Sequence, residues 1–203
     1  MATTIYDCSG YSNNGTIIGN LGTVTSSPRY NCCIEHLDSC IDYIYRPYLS
    51  FLDNSGFTFS CWINPSSYSR TNNGTYGVGN QYILSQGRDV ITSGTDHTYG
   101  ASLTMNNGKI FFVCGNGSLY SNTTIPIGEW AHVVGVWTGT QKKIYINGVL
   151  KNSANDNKID WSEAQNSLVI GKMAYGKSSS TAHHPFVGKI SDVRIYATAL
   201  TDS

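Results

Sequence analysis

The groups in this sequence that are able to do chemistry are thirteen carboxylates, five histidines, six cysteines and one oxygen-rich loop. The loop is Asp7-Cys8-Ser9-Gly10-Tyr11-Ser12-Asn13-Asn14-Gly15-Thr16. A short carboxylate followed by Gly and Asn turns that expose backbone carbonyls suits a hard cation such as calcium. The same residues also make a polar turn in which Asp7 and Asn14 bond to nearby backbone N–H groups. Cys32-Cys33-x-x-His36-x-x-x-Cys40 lacks the paired C-x-x-C spacing of structural zinc sites. The adjacent His183 and His184 face opposite ways on any strand, which favours solvated loop residues over a joint metal site. There is no G-x-S-x-G elbow, no Gly-rich phosphate loop and no H-E-x-x-H.

A different chemistry is available to Tyr68, Arg70, Tyr76, Arg88, His97, Tyr99 and Tyr175, which fall in or beside long polar segments. Aromatic faces and planar polar side chains suit a sugar. Exposed tyrosines also enrich protein interfaces, so these residues do not choose between a glycan and a protein surface. Ser66–Gln81 and Ala174–Pro185 are the two long loops, of the kind that are functional or disordered.

The elements that must position these groups are strands. Trp130–Trp137 and Lys143–Ile146 read as a hairpin across Thr138-Gly139-Thr140-Gln141. Asn147-Gly148 then supplies φ > 0 at both turn positions, and Val149-Leu150 opens a further strand. Phe57–Ile63 is a strand stopped by Asn64-Pro65, with Phe57, Phe59, Cys61 and Ile63 on one face and Thr58, Ser60 and Trp62 on the other. Trp62 is read as a packing residue. Tyr43–Tyr45, Tyr82–Ser85, Tyr99–Met105, Lys109–Cys114 and Leu168–Lys172 are further strands, with Gln86–Gly94 and Asn116–Asn122 read as turns. In Phe186–Tyr196, alternation sets Ile190, Asp192 and Arg194 on one side and Ser191, Val193 and Ile195 on the other. Residues 17–53 carry the weakest pattern.

Composition agrees with an all-β chain. Charged residues are 13%, against about 25% in globular proteins, and 21 glycines and 14 tyrosines take their place. A length of 203 residues suits one β-sandwich domain with a sizeable core. Lys and Arg equal Asp and Glu at 13 each and form no basic stripe, which argues against nucleic acid. No apolar run approaches the 18 residues of a membrane-spanning helix. Six cysteines fit disulfides or thiols; Cys61 and Cys114, inside strand-like runs, favour mostly reduced thiols.

Three stretches resemble the laminin-G-like, concanavalin-A-like lectin and glucanase jelly roll: W-x-H-V-V with I-Y-I-N-G-V, F-T-x-S-x-W-I-x-P, and F-x-G-x-I-x-D-V-R-I-Y. The Asp7 loop is similar to that family's D-x-S-G-x-x-x-N-G-T element, and Leu168–Gly171 to its L-x-I-G strand. The resemblance implies a two-sheet antiparallel β-sandwich over residues 1–203, read as one domain excised from a longer protein. It also implies a structural calcium, with Asp7 as side-chain ligand, Asn14 and Thr16 contributing loop oxygens, and Asp192 approaching from the last strand. Cys8 stands where Ser or Thr is usual.

Glucanases of this fold carry their two carboxyl groups two or four residues apart on one strand. No acidic pair here is separated by two. The pairs separated by four, Asp38/Asp42 and Asp156/Asp160, lie in poorly strand-like segments. Glu35, Glu129 and Glu163 sit beside turns or in polar segments. The expected function is therefore non-catalytic recognition of a glycan or cell-surface protein, in an extracellular, cell-surface or virion setting beside neighbouring domains. The alternative is a structural or adhesion spacer of a phage tail or bacterial surface protein.

Overall fold

The computed structural model describes residues 3–24, 27–28, 33–36, 42–50, 52, 55–69, 80–92, 95–115, 117–156, 159, 161, 167–174 and 184–201. Its elements are β1 (Thr3–Ile5), β2 (Gly15–Ile18), β3 (Gly22–Val24), β4 (Cys33–His36), β5 (Tyr43–Arg46), β6 (Phe57–Pro65), β7 (Asn80–Thr92) and β8 (Thr95–Asn106). They continue with β9 (Lys109–Cys114), β10 (Ser118–Thr124), β11 (Ala131–Trp137), β12 (Gln141–Ile146), β13 (Val149–Asn155), β14 (Leu168–Ile170) and β15 (Gly188–Tyr196). No helix occurs among the described residues. One sheet runs β1-β2-β5-β14-β7-β8-β9-β10 and the other β13-β12-β11-β6-β15-β4-β3, with antiparallel ladders throughout.

The period-2 pattern of β6 is realised as read: Phe57, Phe59, Cys61 and Ile63 lie fully buried between the sheets. They meet Leu103, Met105, Ile110, Phe112 and Cys114 of the facing sheet. Phe112 packs edge-on to Phe57 and Phe59, with ring centroids 6.0 and 6.3 Å away. Gly135, opposite Phe59 on β11, makes room for it, because a Cβ there would lie 2.7 Å from the Phe112 ring. The hairpins β8–β9 and β12–β13 turn on Asn107-Gly108 and Asn147-Gly148, all four at positive φ.

One flank of the sandwich is tied by side chains. Asn152 Nδ2 donates to the Tyr120 carbonyl (2.8 Å) and Asn122 Nδ2 to that of Lys151 (3.2 Å), joining β10 to β13. Behind them, buried Lys142 of β12 pairs with Asp156 and donates to the carbonyls of Cys114 (3.1 Å) and Gly117 (2.9 Å).

Five expectations are corrected. Gln86–Gly94 is not turn-rich through most of its length, since β7 runs on to Thr92. Asn116–Asn122 lies mostly in β10, and Asn64-Pro65 belongs to β6. The alternation of the last strand is broken by a bulge. Ser191 faces Trp62 but Arg194 faces Ser60, so three steps on β15 match two on β6, and Asp192 sits there at φ 48°. Val193 and Ile195 pack on the same core as Ile190. His184 is buried against the Tyr82 ring, centroids 5.9 Å apart, and is not a solvated loop residue. His183, Cys32 and Cys40 lie outside the described residues.

Candidate recognition surfaces

The Asp7 loop joins β1 to β2 at the edge of the eight-stranded sheet. Its geometry is that of a closed turn. Asp7 Oδ1 accepts the Ser9 N–H (2.8 Å), and Oδ2 accepts the Ser9 hydroxyl (2.6 Å) and the Asn13 N–H (2.9 Å). Asn14 Oδ1 in turn accepts the Asp7 N–H at 2.9 Å. The Ser9 hydroxyl and N–H, with the Asn13 donors, hold the Asp7 carboxyl below the usual aspartate range despite a small opposing effect of burial. Arg46 braces the loop from β5: Nη2 donates to Asn13 Oδ1 (2.6 Å), and Nη1 to the carbonyls of Pro47 (2.7 Å) and Tyr48 (2.9 Å).

This donor set bears on the expected calcium ligands. Three of the four acceptor directions of the Asp7 carboxylate, and the Asn14 carbonyl, serve the loop's own donors, so an ion would compete with them. Thr16 lies within β2, paired to Thr4 and Tyr45, and not in the loop. Asp192 stands in the other sheet and accepts from Arg194 Nε at 2.8 Å. Among the described residues no three His, Cys, Asp or Glu side chains gather in a group that could hold a metal ion.

The expected ligand-contacting residues fall into three groups. Arg70, Tyr76 and Tyr175 lie outside the described residues. Tyr68 is half-buried against the core, and its hydroxyl donates to the Ile125 carbonyl at 2.6 Å. Arg88, His97 and Tyr99 come together on one hairpin. Beyond the positions where β14 and β9 pair, residues 87–92 and 95–100 of β7 and β8 pair with each other. The register sets Arg88 opposite Tyr99 and Val90 opposite His97. The register thus brings these four to neighbouring positions on a ribbon that reaches roughly 17 Å past its neighbours. Gly87 and Gly100, both at positive φ, face each other at its base.

A further surface, where sequence reading chose packing over sugar stacking for Trp62, lies outside the seven-stranded sheet. Trp62 is half-buried there and lies over His132 with ring centroids 5.3 Å apart, while His132 Nε2 meets the Ser60 hydroxyl at 2.8 Å. The signal was present: Trp62 falls on the opposite parity to the four core residues of β6. Of the carboxylates considered for catalysis, Asp42 accepts the Asn20 N–H (2.7 Å) and Asp156 pairs with Lys142. Asp38, Asp160 and Glu163 lie outside the described residues, so both four-residue pairs are described only in half.

Two antiparallel sheets packed face to face, with ligand-capable residues on loops and a ribbon at the rim, define a jelly-roll sandwich. Residues 41–203 match the model of the concanavalin A-like lectin/glucanases superfamily, and the chain belongs to that family. No curated protein matches it. Solved structures share its fold at low identity. Domain 4 of AbnA, a GH43 extracellular arabinanase from Geobacillus stearothermophilus, in complex with arabinotriose, is 17% identical, with a TM-score of 0.65 over 99% of this chain and 95% of that one. The binding domain of Paraclostridial Mosquitocidal Protein 1 is 15% identical (TM-score 0.67, 98% of this chain, 47% of that one). The botulinum neurotoxin serotype D binding domain is 19% identical (TM-score 0.63, 97% and 46%). The chain spans about half the length of the two toxin domains. The fold thus occurs in binding domains and within a glycoside hydrolase. No helix of the described residues is long and apolar enough to cross a membrane.

Proposed function

We propose that this domain is a non-catalytic recognition module for a carbohydrate or a glycan-bearing cell surface. The observation that carries the reading is the β7–β8 ribbon, which holds Arg88, Tyr99 and His97 at adjoining register positions beyond the body of the sheet. A guanidinium, a phenol and an imidazole are the planar polar groups suited to hydroxyl-rich ligands. The sandwich neighbours named as binding domains, and the one solved with arabinotriose, support a lectin-like role.

The experiment is binding to a glycan array and to intact cells, with the parent domain beside Arg88→Ala, His97→Ala and Tyr99→Ala. Loss of binding in these variants, with no release of reducing ends from any bound oligosaccharide, is the expected result. Hydrolysis would replace the module reading with an enzymatic one. Absence of any ligand would favour a spacer between neighbouring domains of a phage tail or bacterial surface protein. Calcium belongs to this reading as an ion competing for Asp7. Thermal unfolding in calcium against chelator tests it: a raised midpoint supports the ion and an unchanged midpoint removes it.

A further inference from the structure

The most exposed large apolar side chains among the described residues are Tyr11 (83%) and Tyr6 (75%), and both belong to the Asp7 loop. Single exposed tyrosines are ordinary. Two on one loop that is locked by its own hydrogen bonds are a different matter. Asp7, Ser9, Asn13 and Asn14 close the loop on itself, and Arg46 fixes it to β5. Neither phenol hydroxyl has a hydrogen-bond partner among the described residues, so both rings stand available on a frame that loses little further entropy on binding.

The chemistry left over on this loop selects its ligand. Its one carboxylate and the neighbouring guanidinium are spent on internal donors and acceptors. What remains outward is two phenols and a margin of amide and hydroxyl groups. That set offers no net charge for an anionic ligand, and it suits the C–H faces and hydroxyls of a neutral sugar. Two tyrosines bury at most roughly 500 Å² together, well below the roughly 800 Å² per partner of a stable protein interface. We infer that the Tyr6–Asn14 loop is a second, separate saccharide-binding site, for a short neutral glycan stacked on Tyr6 and Tyr11. The inference rests on the recognition reading above but not on the ribbon.

The test is amide-resolved NMR of the domain titrated with arabinotriose, xylotriose, cellotriose and lactose, with a heparin octasaccharide as anionic comparison. It is run on the parent, on Tyr6→Ala with Tyr11→Ala, and on Arg88→Ala with Tyr99→Ala. At least one neutral sugar is expected to shift the Ser9, Gly10 and Ser12 amides in the parent and in the ribbon variant. In the Tyr6/Tyr11 variant the dissociation constant read from those amides should rise at least about tenfold. An unchanged thermal midpoint in that variant checks that the fold persists. Shifts confined to the ribbon amides would overturn the loop site and leave the recognition reading standing. Silence at the loop amides with all four neutral sugars would overturn the loop site, while the recognition reading falls only if the glycan array and cells also show no binding. Response of the loop to heparin alone would overturn its assignment to neutral ligands.

Discussion

Burial separates the three cysteines whose side chains are described into two chemical classes. Cys61 and Cys114 are enclosed between the sheets, and burial pushes both thiols far up from their ordinary range, aided at Cys61 by Asp192. Only the thiolate alkylates, so these two should stay unmodified by iodoacetamide in the folded domain, while exposed Cys8 reacts. Mass mapping before and after denaturation checks this; labelling of Cys61 in the native state would contradict its enclosure. Asp7 gives a second prediction at this scale. Its folded pKa lies below the ordinary 3.8, so its contribution to loop order is present above that value and lost as pH falls through the folded one. The Ser9 and Asn13 amide shifts should titrate together below pH 3.8, and Asp7→Asn should flatten that titration. The Asp7 and Asn14 turn was legible because short polar side chains beside Gly bond locally whatever the fold. Tyr6 and Tyr11 were not singled out, because exposure is a property of the finished surface and no sequence spacing records it.

Among elements, legibility followed burial on one face. β9 and β12 alternate cleanly because every second side chain enters the core, β6 and β11 are covered on both faces over much of their length, and the two Asn-Gly turns mark their own hairpins. The outer half of β7 reads as turn because Gln86-Gly87-Arg88-Asp89 carries no such alternation; it is a strand by virtue of pairing with β8. Its last partners inside the sheet give the ribbon its base. A Cβ at Gly100, which stands at φ 104°, would lie 2.2 Å from the Gln86 carbonyl oxygen and 3.0 Å from the Gly87 Cα. Gly100→Ala should therefore distort the hairpin there, lowering stability by about 1–3 kcal/mol and binding along with it, whereas Ser118→Ala, at an exposed position of β10, should leave stability nearly unchanged. Chemical denaturation beside the glycan assay tests the pair. Equal stability of the two variants would mean the ribbon does not depend on its glycine base. The bulge at Asp192 was likewise hidden, since strict alternation fits Ile190–Ile195 equally well until pairing with β6 fixes the register.

For the whole molecule, the two sheets hold each other through apolar contact and through a buried ammonium that donates across the layers, and these respond differently to mutation. The contact at Gly135 admits Phe112 of the facing sheet, and Gly135→Ala should cost about 1–3 kcal/mol by overpacking. The ion pair itself lies within the seven-stranded sheet, and its ammonium reaches across to the other layer. Lys142 extends from β12 towards the β9–β10 turn, donating to the Cys114 and Gly117 carbonyls, with side-chain exposures of 4% for Lys142 and 8% for Asp156. A pair so enclosed adds little over an apolar replacement, but half of it is costly, because the remaining charge stays buried. Lys142→Met should therefore lose about 3–5 kcal/mol in urea denaturation, as Asp156 and two carbonyls are left without their donor. Lys142→Met with Asp156→Leu should recover much of that loss, since only the carbonyls then go unserved. A Lys142→Met cost within about 0.5 kcal/mol, the range of surface changes, would show that the ammonium reaches water and that the core alone joins the sheets.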